Sequence, residues 1–151
     1  MLARLTLLTF VASAAWSADY TGPKPPKPDL PYLVHADNLI PTEAGEAKQE
    51  KDTYVVQGAA SPARTPLAEP IFLLQADHLS PESIELYRME VKNGRREVKP
   101  GGRRGSGRPL HLQVTSLGGK LYRIEAAEVL ENGEYSLSPS GSNRVFCFEV
   151  Y

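Results

Sequence analysis

The stretch GEYSLSPSGSNRVFCFEVY, residues 133–151, indicates the fold more clearly than any other part of the chain. A four-residue loop in its middle places Leu137 opposite Phe146 and Tyr135 opposite Phe148, so the apolar side chains of both strands share one face. The valine and the cysteine that alternate with the two phenylalanines then face the other way. The second strand of this hairpin is therefore predicted to be central and buried on both sides.

A second hairpin is predicted in ELYRMEVKNGRREV, where Asn93 and Gly94 suit a two-residue type I′ turn. This turn sets Met89 opposite Val98 on one face. The matching of apolar residues supports the register, because a slip of one residue would turn one apolar set to solvent.

A third hairpin is predicted in PLHLQVTSLGGKLYRIEA, residues 109–126. A two-residue loop at Gly118-Gly119 would oppose Val114 to an arginine. A three-residue loop centred on Gly118 instead pairs Val114 with Tyr122, and it pairs the flanking leucines with isoleucine and alanine. We therefore expect the odd loop, with a glycine at positive φ in a bulge.

Short runs of β-branched and aromatic residues, separated by turn residues, continue along the chain from Tyr32 onward. They predict about nine strands, near residues 32–37, 53–57, 71–76, 84–92, 95–99, 109–116, 121–128, 134–138 and 144–151. TEAGEAKQEKD, residues 42–52, lacks large apolar residues and is expected to be a solvated loop.

The spacing predicts an all-β domain, an antiparallel two-sheet β-sandwich of about 7–9 short strands. It resembles the immunoglobulin-like class in architecture only. The disulfide and core-tryptophan marks of true immunoglobulin domains are absent, since Trp16 and Cys147 are the only tryptophan and cysteine.

The first twenty residues, MLARLTLLTFVASAAWSADY, have the layout of a secretory signal peptide, with Arg4 followed by an apolar stretch and small residues. We expect cleavage after Ser17 and a mature chain that begins at Ala18; the alternative is an uncleaved anchor. A proline-rich linker, residues 18–31, would then precede a single domain, residues 32–151. No transmembrane segment is expected after cleavage, and the protein is predicted to be periplasmic or secreted.

Charge and cysteine content limit the partners. Without the leader, 16 Lys and Arg stand against 18 Asp and Glu, a net charge of −2, so general nucleic-acid binding is not expected. Cys147 cannot form an internal disulfide. We predict a buried, unreactive thiol, with an intermolecular disulfide as the alternative.

The motif Ala-Asp-x-Leu-x-Pro occurs twice, in YLVHADNLIPTE (residues 32–43) and in FLLQADHLSPES (residues 72–83). The favoured interpretation is structural: Asp37 and Asp77 accept backbone N–H groups in equivalent turns, the leucine closes the sandwich end and the proline stops strand pairing. The alternative is a metal site formed by the ligand-type residues of both copies, His35, Asp37, Asp77 and His78.

A basic, glycine-rich segment, KPGGRRGSGRP at residues 99–109, is the candidate binding loop. It suits phosphate or sulfate groups, or another anionic partner; the alternative is a solvated connection. Its candidate residues are Lys99, Arg103, Arg104 and Arg108. A second irregular segment, GAASPARTPLAEP at residues 58–70, would frame a binding edge with it if both lay at one end of the sandwich.

Catalytic patterns are weak. The serines of SLSPSGS suit a hairpin loop, and GSGRP is not a nucleophile elbow. Four alternating glutamates are interpreted as a solvated face rather than as acid/base pairs: Glu125, Glu128, Glu131 and Glu134.

These features predict an exported, non-enzymatic interaction or structural module of a bacterial envelope or secreted assembly, without a cofactor. Its partner would be an envelope protein or an anionic surface polymer. The alternative is a metal-dependent or carbohydrate-active hydrolase with its site at the two Ala-Asp-x-Leu-x-Pro turns.

Overall fold

The structure, a computed structural model, describes residues 19–101 and 107–151. The predicted signal peptide, residues 1–17, and the basic residues Arg103 and Arg104 lie outside the described residues. The described chain forms these elements: β1 (Tyr32–His35), β2 (Asn38–Pro41), β3 (Glu43–Glu46), β4 (Lys48–Glu50), β5 (Thr53–Gln57), β6 (Arg64–Thr65), β7 (Ile71–Gln75), a 3-10 helix (Pro81–Ser83), β8 (Ile84–Lys92), β9 (Arg95–Val98), β10 (Leu112–Gly118), β11 (Leu121–Ala126), β12 (Gly133–Pro139) and β13 (Arg144–Val150).

The strands form two sheets, and the prediction of an all-β fold with two antiparallel sheets is confirmed. The smaller sheet has the order β10-β11-β7-β1-β2. The larger has the order β3-β13-β12-β8-β9-β5-β4, with the short β6 added in parallel to the end of β13. Each of the nine predicted strands corresponds to an observed one. Within the described residues, no helix is long and apolar enough to cross a membrane.

The larger sheet closes on itself. Its terminal strands β3 and β4 are separated in the chain by Ala47 alone, yet β3 pairs with β13 and β4 pairs with β5. One bent stretch of chain, residues 43–50, therefore joins the two edges of the sheet. We call this unit the closed sheet; its inward side forms an interior separate from the space between the two sheets.

The main core lies between the two sheets and is built from the alternating apolar faces of their strands. Phe72 of the smaller sheet meets Phe148 of the closed sheet edge to face, with ring centroids 4.9 Å apart, and Tyr135 stacks on Phe148 at 5.5 Å. Aromatic pairs at such distances add stabilisation beyond the buried area. Other fully buried members are Leu33, Leu74, Leu86, Ile124, Leu137 and Phe146.

A second, smaller core fills part of the interior of the closed sheet. It contains Ala47, Met89, Val98, Val145 and Cys147. The alternation along β13 explains both cores, because one set of its side chains faces the smaller sheet and the other faces this interior. The prediction of a central strand, apolar on both sides, is confirmed.

Two of the three predicted hairpin registers are confirmed. The β12–β13 hairpin pairs Tyr135 with Phe148 and Leu137 with Phe146. In the β8–β9 hairpin both turn residues have positive φ, 51° at Asn93 and 75° at Gly94, as a type I′ turn requires. Its register continues to Met89 and Val98, which lie in the same core.

The register predicted for the β10–β11 hairpin is wrong by two residues. Val114 pairs with Ile124 rather than with Tyr122. The turn consists of Gly119 and Lys120, with φ of 59° and 61°, and a bulge follows Ser116. A lysine in the left-handed region is uncommon, so the sequence favoured a glycine-centred loop. A shift of two residues keeps every side chain on its expected face.

The stretch predicted as a solvated loop, residues 42–52, instead forms β3 and β4. It lacks large apolar residues because its role is to join two sheet edges by backbone pairing. Ala47 is buried in the interior, and Thr42 is buried where its Oγ1 donates to the carbonyl of Pro31 at 2.7 Å. Small side chains fit where the chain bends into the closed sheet.

Candidate functional site

A cleft of about 350 Å³ opens at one end of the closed sheet. The β12–β13 loop and Pro100, just after β9, form its rim. The inward faces of β5, β8, β9, β12 and β13 form its walls. The cleft is thus the unfilled part of the interior above the smaller core.

The lower walls of the cleft are aromatic and aliphatic. Tyr54 and Tyr87 are half-buried on β5 and β8, and both pack against the small core. Met89, Val98 and Val145 supply the aliphatic part of the walls. These residues alternate with residues of the opposite face along their strands, which explains why they converge.

Polar groups of the cleft lie nearer its rim. Glu85 on β8 accepts a short hydrogen bond from the hydroxyl of Tyr87. The hydroxyl oxygens of Ser136 and Ser138 lie 3.3 Å apart on the facing strand β12. Register places Glu85 beside Ser138 and Tyr87 beside Ser136, so a polar band crosses the upper wall.

The other end of the interior is filled by Arg96, which is 1 % exposed. Its Nη1 donates to Glu43 Oε1 at 2.6 Å, and its Nε and Nη2 donate to the carbonyls of Gly58 and Gln57 at 2.9 and 2.7 Å. A buried guanidinium is tolerated only when its donors are used, and here each nitrogen has an acceptor.

Glu134 lies beside this arginine and is not on the solvated face that we predicted for it. It is 5 % exposed, Arg96 Nη1 lies 3.9 Å from its Oε2, and the N–H of Ser61 donates to both carboxylate oxygens at 3.2 and 3.1 Å. Burial raises the pKa of Glu134 although the Ser61 N–H and Arg96 act to lower it. Glu134 and Arg96 together close the lower end of the interior.

Cys147 has the environment predicted for it. The residue is fully buried between the cleft and the arginine, and burial raises the pKa of its thiol to about 12. A thiol with this pKa stays protonated at neutral pH and is a poor nucleophile. The prediction of a buried cysteine is confirmed, and its lack of reactivity stays a prediction.

The two Ala-Asp-x-Leu-x-Pro copies lie at opposite ends of the smaller sheet. β1 and β7 are antiparallel neighbours, with Tyr32 opposite Leu73, so the turns that follow them point in opposite directions. The structure does not bring the four metal-ligand candidates together as one site: the exposed His35 and Asp37 lie at one end, and the exposed Asp77 and His78 lie at the other.

The prediction that Asp37 and Asp77 cap equivalent turns is also wrong. Asp37 belongs to the two-residue turn of the β1–β2 hairpin, whereas the second copy leads into the 3-10 helix. There the cap is Asp29, whose Oδ1 accepts the N–H groups of Asp77, His78 and Leu79 at 2.8, 3.0 and 2.9 Å. The sequence-identical motif therefore has two different local structures.

Ligand-type atoms of Asp29, Asp77 and His78 do lie within 4.8 Å of one another. However, the oxygens of Asp29 are already occupied by backbone N–H groups, and the side chain of His78 is 87 % exposed. The N–H donors outweigh partial burial and lower the pKa of Asp29 to about 2. We assign this cluster to turn capping, and it places the last residues of the predicted linker, from Asp29, in the folded domain.

The basic loop is only partly described. Lys99 forms an ion pair with Asp52 at 3.3 Å, and Arg108 is exposed. Pro100 places the start of this loop at the cleft rim. Segment 58–70 follows β5 at the opposite end of the interior, where Arg96 contacts Gly58. Its strand β6 pairs with β13. The two irregular segments therefore do not start at one end of the molecule.

Comparison of the chain with protein-family models, with curated proteins and with solved structures found no match.

The sequence reasoning missed the cleft residues. Glu85, Tyr87 and Met89 were recognised only as parts of a strand. The available signal was on β12, where Ser136 and Ser138 alternate with large apolar residues inside a buried hairpin. Hydroxyl side chains on the inner face of a buried strand indicate a polar or incompletely filled interior.

Proposed function

We propose that this chain is an exported, non-enzymatic binding module of a bacterial envelope or secreted assembly, with its ligand in the cleft of the closed sheet. The observation that carries the proposal is the cleft of about 350 Å³ with apolar walls and a band of polar groups. Small-molecule sites commonly have roughly 300–1,000 Å³ and this distribution of groups. The volume corresponds to about a dozen water molecules, so the ligand is small.

The chemistry of the cleft favours binding over catalysis. Among the described residues that line it, none is a histidine, lysine or arginine that would activate Ser136 or Ser138. Glu85 is the one carboxylate among those residues, whereas glycoside hydrolysis uses two. Cys147 lies below the cleft with a raised pKa, as described above.

The framework supports a preformed site. Five strands form the walls of the cleft, and the Arg96 hydrogen bonds fix the far end of the same interior. A rigid site loses little conformational entropy on binding. An anionic partner at the basic loop remains a prediction from the sequence, and so does export.

A fragment library screened by ¹H–¹⁵N shift perturbation tests the cleft. We expect hits whose shifts map to Tyr54, Tyr87 and Ser138. Ser138→Trp should fill the cleft and abolish binding while the spectrum stays folded. Thr115→Trp, on the exposed face of β10, is the matched control and should leave binding unchanged.

Hits that map elsewhere, or that bind Ser138→Trp as well as the wild type, would refute the cleft as the site. Two further measurements address the other parts of the proposal. N-terminal sequencing of the exported protein should find Ala18 first. Pull-down from envelope extract with Arg103, Arg104 and Arg108 changed to Ala should lose an anionic partner, and unchanged partners would exclude that loop.

A further inference from the structure

Glu85 is the feature of the cleft that indicates a ligand class. Its carboxylate lies in the upper wall, half-buried, and one of its oxygens accepts the hydroxyl of Tyr87. The ion pairs found between described residues do not include Glu85. A carboxylate beside an apolar surface, with acceptor capacity left, attracts a cation or a strong hydrogen-bond donor.

The aromatic walls favour a cation for the same position. The rings of Tyr54 and Tyr87 both line the cleft, and Tyr87 contacts this carboxylate through its hydroxyl. The face of an aromatic ring attracts a positive charge, and the attraction grows when the charge is desolvated. Burial, followed by the bond to Glu85, raises the pKa of Tyr87, so the phenol remains a neutral donor.

The apolar floor determines the rest of the ligand. Along β8 the register runs from Glu85, beside Ser138, to Met89, beside Glu134, so Met89 lies one level deeper than Tyr87. Val98 lies at the level of Met89, because the β8–β9 register continues to this pair, and Tyr54 is paired with Val98. Val145 lies higher, beside Ser138, in the continued β12–β13 register. A ligand with its charge at Glu85 would therefore place an apolar body of a few carbon atoms between Tyr87 and the deeper Tyr54, next to Met89.

We propose that the cleft binds a small organic cation, a primary alkyl- or arylammonium ion whose ammonium group contacts the Glu85 carboxylate and whose apolar part lies between Tyr54 and Tyr87. This inference rests on the proposed function, because it names the ligand class of the same cleft.

A matched series of probes separates charge from shape. The purified protein is titrated at pH 7 with 2-phenylethylammonium, with neutral 2-phenylethanol and with anionic 3-phenylpropionate, and binding is followed by ¹H–¹⁵N shifts. We expect the ammonium ion to bind at least about tenfold more tightly than the alcohol, which corresponds to about 1.4 kcal/mol. The carboxylate should bind most weakly.

Glu85→Gln removes the charge and keeps the shape, and it should reduce the preference for the ammonium ion to less than threefold. Glu82→Gln makes the same charge change in the exposed 3-10 helix outside the cleft and should keep the full preference. Tyr87→Phe keeps the aromatic wall and removes the hydroxyl that occupies one oxygen of the Glu85 carboxylate. Both oxygens can then accept from the ligand, so the preference for the ammonium ion should persist or increase. If Glu85→Gln does not fold, Tyr87→Phe tests the inference instead, and a lost preference for the ammonium ion in that variant would contradict it.

The outcomes distinguish the two proposals. If the alcohol binds as tightly as the ammonium ion, or if Glu85→Gln keeps the preference, the cation inference is wrong while the cleft remains a binding site. Tightest binding of the carboxylate also overturns it. If none of the three probes binds, the cation inference fails. The fragment screen then shows whether the cleft is a binding site at all.

Discussion

Arg96 donates to Glu43 across 2.6 Å in the interior of the closed sheet, and so connects β9 with β3, two strands that are not neighbours in the sheet order. This contact exists only because the sheet closes. The guanidinium is 1 % exposed, whereas Glu43 retains some access to solvent. The pair therefore combines a desolvated cation with a carboxylate that keeps part of its hydration, which limits the cost of burial.

Removal of the arginine should be strongly destabilising. Arg96→Ala leaves Glu134 buried beside an empty space and leaves the Gly58 and Gln57 carbonyls without their donor. Loss of one partner of a buried ion pair typically costs about 3–5 kcal/mol. The free energy of unfolding, measured by urea denaturation, should fall by this amount.

The matched control is Arg64→Ala. Arg64 pairs with Glu149 at 2.9 Å but its side chain is 50 % exposed, and exposed pairs contribute at most about 1 kcal/mol. An Arg96→Ala protein as stable as Arg64→Ala would show that the buried network does not hold the lower end of the closed sheet.

Asp29 should stabilise the fold although it lies in the proline-rich segment. Asp29→Ala removes a carboxylate that accepts three backbone N–H groups, and loss of such a cap costs about 1–2 kcal/mol. Asp37→Ala and Asp77→Ala should change the unfolding free energy by less than about 0.5 kcal/mol, as exposed substitutions do. Equal effects of the three substitutions would contradict the assignment of Asp29 as the cap.

The same residue should contribute a pH dependence at acid pH. Its folded pKa, about 2, lies below the ordinary value of 3.8, so the folded state binds the proton more weakly than the unfolded state. The stabilisation is therefore fully present above pH 3.8 and is lost as the pH falls towards 2. The difference in unfolding free energy between wild type and Asp29→Asn should shrink over this range, and a difference that stays constant would contradict the shift.

The sequence predicted those elements whose partners are close along the chain. In the β12–β13 and β8–β9 hairpins a short loop joins the strands, and only one register places the apolar side chains of both strands on the same face. The β10–β11 turn was missed because Lys120 adopts a backbone conformation that lysine rarely takes. β3 was missed because pairing with the distant β13, rather than an apolar face, holds it in place. β4 was missed although it pairs with the next strand, β5, because its three side chains are polar and give no apolar pattern.

The candidate site could not be predicted from the sequence, because it depends on strand pairing between distant segments. Its residues come from five consecutive strands of the closed sheet, and the pairs β12–β8 and β9–β5 join segments that are far apart in the chain. Glu134 resembled its solvated neighbours in the sequence, because nothing local distinguishes it from Glu131. The repeated motif suggested a similarity that the structure lacks, because its two copies form different turns. The capping residue, Asp29, lies outside both copies.

The left-handed lysine of the β10–β11 turn offers a stabilising substitution. Lys120 has φ of 61°, a region that costs a non-glycine residue roughly 1–2 kcal/mol. Lys120→Gly should raise the unfolding free energy by about 0.5–1 kcal/mol, because the greater entropy of the unfolded glycine chain offsets part of the gain.

Thermal unfolding checks this expectation. The control is Lys48→Gly on β4, where the backbone is extended and glycine should be destabilising. A lower melting temperature for Lys120→Gly would show that the lysine side chain stabilises the turn in another way.

Cys147 should react only when the protein opens. With a pKa of about 12, the thiolate fraction at pH 8 is about one in ten thousand, and burial blocks access as well. The native protein should resist a disulfide reagent for hours, while the protein in denaturing urea should react at once. Ser142→Cys, in the exposed β12–β13 loop, should react promptly in the native protein.

The same reaction reports on the closed sheet. If modification proceeds through unfolding, Arg96→Ala should accelerate it by about a hundredfold or more, because a loss of about 3 kcal/mol raises the open population by that factor. Prompt reaction of the native wild type, or a disulfide-linked dimer on a non-reducing gel, would instead show that the thiol is accessible and that the interior opens without unfolding.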